Sequence, residues 1–164
     1  MQDARYVRQA FAGIARRYVL TNHVLSLGTD VLWRIRTARL VASFAPSRVL
    51  DLATGSGDLA IAIQRACPQA QVLGADFSVP MMREAQRQQF AKLIAADALS
   101  LPLADSAFDV VTVAFGLRNM ASWPGALGEI RRVLRPGGHL VILDFSLPRT
   151  PLFRAPYLFY LKQI

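Results

Sequence analysis

The sequence predicts an α/β fold, a mostly parallel sheet with helices on both faces. Three observations carry that expectation. From Arg48 onward, short apolar runs recur without polar alternation, as strands buried on both faces do. Stretches with helical spacing separate them. The first run ends in a glycine-rich loop that opens a helix.

The elements follow in order. The segment Gln2 to Phe44 reads helical: Val7, Ala10, Phe11 and Ile14 recur at helical spacing, and so do Leu32, Ile35 and Leu40. Gly28 punctuates it, with Thr29 or Asp30 as cap of the next helix, and Pro46 ends it. Strands are expected at 48–52, 71–76, 92–96, 109–115 and 139–145. Helices are expected at 59–66, 80–89 (capped by Ser78) and 123–134, the last stopped by Pro136-Gly137-Gly138. The expected organisation is one domain over 1–164: an N-terminal helical cap (1–45), an α/β core (46–148) and the start of a C-terminal part (149–164).

Composition narrows the class. With 53% hydrophobic and 18% charged residues, the 164-residue chain can bury a core and is not of the disordered type. The apolar runs are strand-sized, too short to span a membrane, and Met1 to Arg5 lacks the layout of a signal peptide. Cys67 is the only cysteine, which excludes an intrachain disulfide and a cysteine metal cluster; a cytoplasmic protein is expected. The net charge is +8, and much of the excess precedes Val49, where eight arginines face only Asp3 and Asp30. A solvated face, an anionic membrane surface and nucleic acid all suit such a bias. No nucleic-acid motif accompanies it, so no nucleic-acid partner is expected.

The informative segment is Asp51-Leu52-Ala53-Thr54-Gly55-Ser56-Gly57-Asp58. Gly55 and Gly57 let a ligand approach the backbone where helix N–H groups point outward. With Ala60 they also satisfy the dinucleotide spacing, so the glycines alone do not choose a ligand. The carboxylates do. A pyrophosphate would meet Asp51 and Asp58, and like charges at ~4 Å cost about 1 kcal/mol even in bulk water. A ligand bearing an ammonium and a sulfonium gains there instead. Asp58 also reads as a helix cap. Asp76 closes the second strand, where an acid bonds a ribose hydroxyl, or simply forms a turn with Ser78. Asp97-Ala98 closes the third strand and could hold an adenine edge, or be a solvated loop. The two histidines, His23 and His139, read as packing or loop residues, and no metal site is expected.

The glycine segment resembles the first motif of class I methyltransferases, a Rossmann-like fold of seven strands. The wider match is to the family that C-methylates demethylmenaquinol and the ubiquinol precursor. It rests on Phe115-Gly116-Leu117-Arg118-Asn119, on Tyr18, Asn22, Ser26, Gly28, Asp30 and Trp33-Arg34, on the run from Arg131 to Gly138, and on Asp144-Phe145-Ser146. The resemblance implies S-adenosylmethionine as cofactor, held by Asp51, Gly55, Ser56, Gly57, Asp76, Phe77, Asp97, Ala98 and Ala114. Ser56 stands where the family often has Thr, Ala114 where some members have Ser, and Val19 where Asp is usual. It implies a prenylated quinol as substrate and work at the inner face of a membrane. The expected catalytic residues are Arg118, stabilising a developing phenolate, Asn119, orienting the ring or a water, and Asp97, accepting a proton through water. Arg118 reads equally as the partner of a loop carboxylate.

Only five of seven strands can be placed. The resemblance therefore implies a C-terminally truncated form, or a fifth-strand edge covered by another copy. The competing expectations are a methyltransferase for another small molecule, a nicotinamide-dependent oxidoreductase, and an incomplete domain that binds cofactor without turnover.

Overall fold

The computed structural model describes residues 29–144. The expectations placed on 1–28 and 145–164, including Tyr18, Asn22, His23, Phe145 and the aromatic run after Pro151, lie outside the described residues.

Helix α1 (Thr29–Ser43) leads into β1 (Arg48–Leu52), α2 (Asp58–Ala66), β2 (Gln71–Asp76), α3 (Val79–Arg87), β3 (Leu93–Ala95), β4 (Phe108–Ala114), a single 3₁₀ turn (Leu117–Asn119), α4 (Trp123–Val133) and β5 (Leu134–Leu143). The strands form one sheet in the order β3-β2-β1-β4-β5, with every pairing parallel. Alternate residues of the central strands point to opposite faces. Val49, Val72 and Val110 enter one core with Ala38, Val41 and Ile63, from α1 and α2. Leu50, Val111 and Val113 enter the other with Ile130 and Val133 of α4. The expected architecture, helices on both faces of a parallel sheet, is the one observed. The strand order reverses between β1 and β4, which leaves a crevice at their carboxyl ends.

The structure refines the local reading. Leu32, Ile35 and Leu40 recur at helical spacing within α1, as expected, but all three are exposed. The face turned inward carries Asp30, Thr37, Ala38 and Val41 instead. Its small side chains allow close packing on α2, and the one buried acid is paired with Arg34, a helical turn away. Thr29 and Asp30 do not precede that helix as caps; they lie within its first turn. At the other end, Pro136-Gly137-Gly138 does not form a loop between α4 and β5. The chain enters the sheet at Leu134, paired with Phe108, and regular pairing resumes at His139, paired with Val110. The irregularity between those pairs takes up the extra residues, as a bulge does. His139 therefore lies inside the strand, where its ring stacks on Phe44 with centroids 4.0 Å apart.

Asp109 fastens the end of the sheet remote from the crevice. Its Oδ2 accepts the backbone N–H groups of Ser47 (2.5 Å) and Arg48 (2.9 Å), and its Oδ1 meets Arg135 at 2.6 Å. The Arg135 side chain is 54% exposed, so the ion pair adds little in water. The two N–H groups matter more, because truncating the acceptor leaves them without a protein partner. Asp109→Ala is expected to cost about 1–3 kcal/mol, read from urea unfolding.

Candidate active site

Site geometry begins with the register of the sheet. Asp51 pairs laterally with Thr112 of β4, so the two side chains leave the same face of neighbouring strands. The Thr112 hydroxyl donates to Asp51 Oδ1 at 2.6 Å, and the Thr54 hydroxyl donates to Oδ2 at 2.7 Å. Asp51 is 1% exposed. Burial is the main influence on it and raises its pKa from 3.8 to about 6, against the two hydroxyl bonds; the neighbouring Asp76 raises it further and Arg34 opposes. Asp51 is therefore mostly ionised at neutral pH, and any cation that reaches it is strongly favoured.

The loop after β1 is shaped by backbone as much as by side chains. Ala53, Gly55 and Gly57 all have positive φ, at 56°, 56° and 82°. The Gly55 N–H, lifted by this turn, donates to Asp76 Oδ2 at 2.8 Å, while Asp76 Oδ1 accepts from the Ser78 N–H at 2.8 Å. Asp76 thus ties the glycine loop to the turn after β2. The carboxylate keeps acceptor capacity for a ligand hydroxyl. Burial raises its pKa, opposed by the backbone N–H donors. Its turn-forming and ligand-facing readings are compatible in one geometry.

A cavity opens above β1, β2 and β4. Asp51, Gly55, Ser56, Asp76, Phe77, Asp97, Ala98, Ala114 and Asn119 all line it. Gly57 and Arg118 are not among its lining residues. Gly57 sits at the start of α2, where an added Cβ would lie 3.1 Å from that of Ala85 in α3, so its bareness serves helix packing. Arg118 is ion-paired with Asp144 at 2.8 Å and its guanidinium is 6.0 Å from the Phe115 ring centroid. Asp58 does not cap α2. It is that helix's first residue and accepts the Ser56 hydroxyl at 2.5 Å. Ser78 occupies the cap position of α3, but its hydroxyl makes no cap bond.

Among the lining residues outside the expected set, two bear on ligand chemistry. Arg34 of α1 lines the cavity. Beside its place in the Trp33-Arg34 resemblance, its local signal is the i, i+4 spacing from Asp30. Ser78 also lines the cavity, and its Oγ is the only buried side-chain polar atom without a hydrogen-bond partner among the described residues. Such an atom is costly unless a ligand or water meets it.

The charged lining suits a cationic nucleoside. Four carboxylates (Asp51, Asp58, Asp76, Asp97) face one guanidinium, an acid closes β2 where a ribose would lie, and the Ser78 hydroxyl lacks a partner. S-adenosylmethionine fits that donor set, and a pyrophosphate does not. The fold and this cavity define the class: a Rossmann-like class I methyltransferase. The chain belongs to the ubiE/COQ5 methyltransferase family, whose model matches residues 1–164.

Curated relatives agree. The chain is 48% identical over 159 residues to a demethylmenaquinone methyltransferase of Thermus thermophilus, covering 94% of the chain and 72% of that protein. It is 44% identical over 163 residues to a protein of the same name from Deinococcus radiodurans, covering 96% and 68%. It is 41% identical over 162 residues to the ubiquinone/menaquinone biosynthesis C-methyltransferase UbiE of Syntrophotalea carbinolica, covering 96% and 68%. The chain thus spans about 70% of the length of these three. Among solved structures, a SAM dependent methyltransferase from Aquifex aeolicus matches with TM-score 0.59 at 20% identity, over 70% of this chain and 66% of that one. The [4+2]-cyclase SpnF matches with TM-score 0.61 at 28% identity, over 71% and 46%. A fold that also serves a cyclase does not fix the chemistry, so the function must be argued from the site.

Proposed function

We propose that this chain transfers a methyl group from S-adenosylmethionine to a ring carbon of a prenylated quinol, demethylmenaquinol or the ubiquinol precursor. The single observation that carries the reading is the buried, ionisable Asp51 beside a positive-φ glycine loop, within a family whose curated members bear quinone-methylating names.

The cofactor, when bound, supplies a methyl on a sulfonium, which needs neither a metal nor a covalent enzyme intermediate. The protein's own work is positioning and exclusion of water. Asp51 holds the ammonium end. Asp76 and the Gly55 turn hold the ribose. Asp97, whose Oδ1 already accepts the Leu99 N–H at 2.9 Å, and Ala98 frame the base. Asn119 lines the cavity beyond β4 and orients the ring or a water against it; Asp97 accepts the ring proton through water.

Arg118 supports the developing phenolate only by exchanging its bond to Asp144 for one to the acceptor. The pair is partly exposed, with side chains 37% and 26% accessible, so the exchange has a low cost. Arg118→Ala is expected to lower kcat about 10- to 100-fold with cofactor affinity unchanged. Full turnover in that variant would remove Arg118 from the mechanism. An apolar prenyl tail calls for work at a membrane surface, and no helix among the described residues is long and apolar enough to cross one.

The reading is tested by incubating the chain with S-adenosylmethionine and demethylated quinols, then weighing the lipid. A gain of one methyl on the ring supports it. Methylation of other acceptors with the quinols untouched would refute the substrate assignment.

A further inference from the structure

Arg34 is the only cation among the described residues that line the cavity, where it stands against four carboxylates. It reaches the cavity from α1, an element outside the α/β core. Two contacts fix it there. Asp30, one helical turn earlier and fully buried, is ion-paired to its Nη1. The Phe115 ring lies beneath the guanidinium, 5.7 Å from centroid to Cζ. Only 12% of the Arg34 side chain is exposed. A guanidinium held between an acid and an aromatic face is pre-organised, and it retains N–H donors beyond those engaged by Asp30.

The proposed ligand supplies what those donors lack. The amino-acid end of S-adenosylmethionine carries an ammonium and a carboxylate on one carbon. An acidic cavity welcomes the first and repels the second, so the carboxylate needs a cation of its own. Arg34 lies close enough to Asp51 for its charge to act on that carboxyl group. Asp51 and Arg34 therefore form a pair of opposite sign that matches the two charges of an amino acid.

We propose that Arg34 receives the carboxylate of the cofactor's amino-acid moiety, with Asp30 as the positioning residue that aims it. The inference rests on the cofactor reading above and adds a recognition site for which no other described residue lining the cavity offers a cation. It also gives α1 a part in ligand selection, because discrimination for a free carboxylate then comes from that helix.

The test is calorimetric binding to the full chain with three probes: S-adenosylmethionine, its decarboxylated form, and methylthioadenosine, which lacks the amino-acid end. Wild-type protein is expected to prefer S-adenosylmethionine over the decarboxylated form by about 10- to 100-fold, the scale of a charge-assisted bidentate contact. In Arg34→Gln that preference should vanish while methylthioadenosine binds as before. Asp30→Asn should reduce the preference several-fold, which a purely structural role for Asp30 would not do. Arg34→Lys guards against a folding defect: it keeps the stem and the charge and should retain only a few-fold preference. A wild-type preference left intact in Arg34→Gln overturns the assignment of Arg34 alone. Equal binding of both cationic probes by wild-type protein also overturns it, and directs Arg34 to the methyl acceptor instead. Failure of all three probes to bind wild-type protein overturns the cofactor reading, and this inference with it.

Discussion

Asp51→Asn is expected to weaken binding of S-adenosylmethionine about 100-fold and, at the same time, to stabilise the ligand-free protein. Both effects come from one buried charge. The carboxylate is 1% exposed, and burial lifts its pKa from 3.8 to about 6. At neutral pH it is ionised in the folded and unfolded chain alike, so that displacement measures the cost of burying it, about 3 kcal/mol at most. The sign follows from proton counting. Between pH 4 and 6 the folded state holds a proton that the unfolded state has lost, so stability falls as pH rises through this window and levels off above it. Asparagine fills the same space without that cost. The gain in Tm should therefore be absent below pH 4 and complete above pH 6. Affinity runs the other way. Only ionised Asp51 rewards an ammonium, so wild-type affinity should decline as pH falls below 6, approaching tenfold per pH unit, while Asp51→Asn shows no such decline from this group. Asp76, whose pKa is also raised, adds a separate dependence that persists in the variant. Calorimetric titration at pH 5, 6 and 7 reads the affinity, and thermal melts at the same values read the stability. Equal affinity of variant and wild type at pH 7 would mean that no cationic ligand meets Asp51.

Gly116→Ala is expected to damage binding from a residue that need not touch the ligand. A Cβ placed at Gly116 would stand 2.5 Å from the Cβ of Ala53. Neither atom can rotate away, since each is fixed by its backbone, so one of the two loops must move. Both belong to the cavity wall. Displacing either by the ~1 Å needed to restore van der Waals contact shifts the glycine turn against Asp76, or the exit of β4 against it. A loss of at least tenfold in affinity and about 1–3 kcal/mol in stability is expected. Ala53 has a positive φ of 56°, a conformation that glycine adopts more readily than alanine. Ala53→Gly in the same chain should therefore remove the collision and restore both quantities. A double-mutant cycle gives the outcome: strong coupling of the two positions supports the close approach, and simple additivity refutes it.

How much of this was legible in the sequence depends on whether the deciding contacts are local. Strands β1 and β2 were readable to the residue, because a strand buried on both faces announces itself as an apolar run with polar ends. The acids at the strand ends and the glycine loop were legible for the same reason. Helix α1 was legible as a helix, but not in the face it buries. Leu32, Ile35 and Leu40 point outward while Asp30 is buried against Arg34 one turn away, and the surface that α1 meets is made by α2 and β5, distant in sequence. Arg34 was singled out only as part of the family resemblance, with Trp33; its place in the cavity depends on how α1 packs. Asp76 was read as either a ligand residue or a turn residue, and the bond from Gly55, 21 positions earlier, shows that one carboxylate can serve both. For Arg118, the competing expectation of a carboxylate partner describes its contact with Asp144, which no local pattern would have identified.

The clamp at Asp109 carries a consequence for how this molecule can change. It joins the beginnings of β1, β4 and β5, at the rim of the sheet remote from every group proposed to handle the nucleoside. The clamp and the nucleoside groups thereby stand at opposite rims. Thermal hardening can be sought around Ser47, Asp109 and Arg135 without disturbing what the protein accepts, whereas changes at the cavity rim act on both.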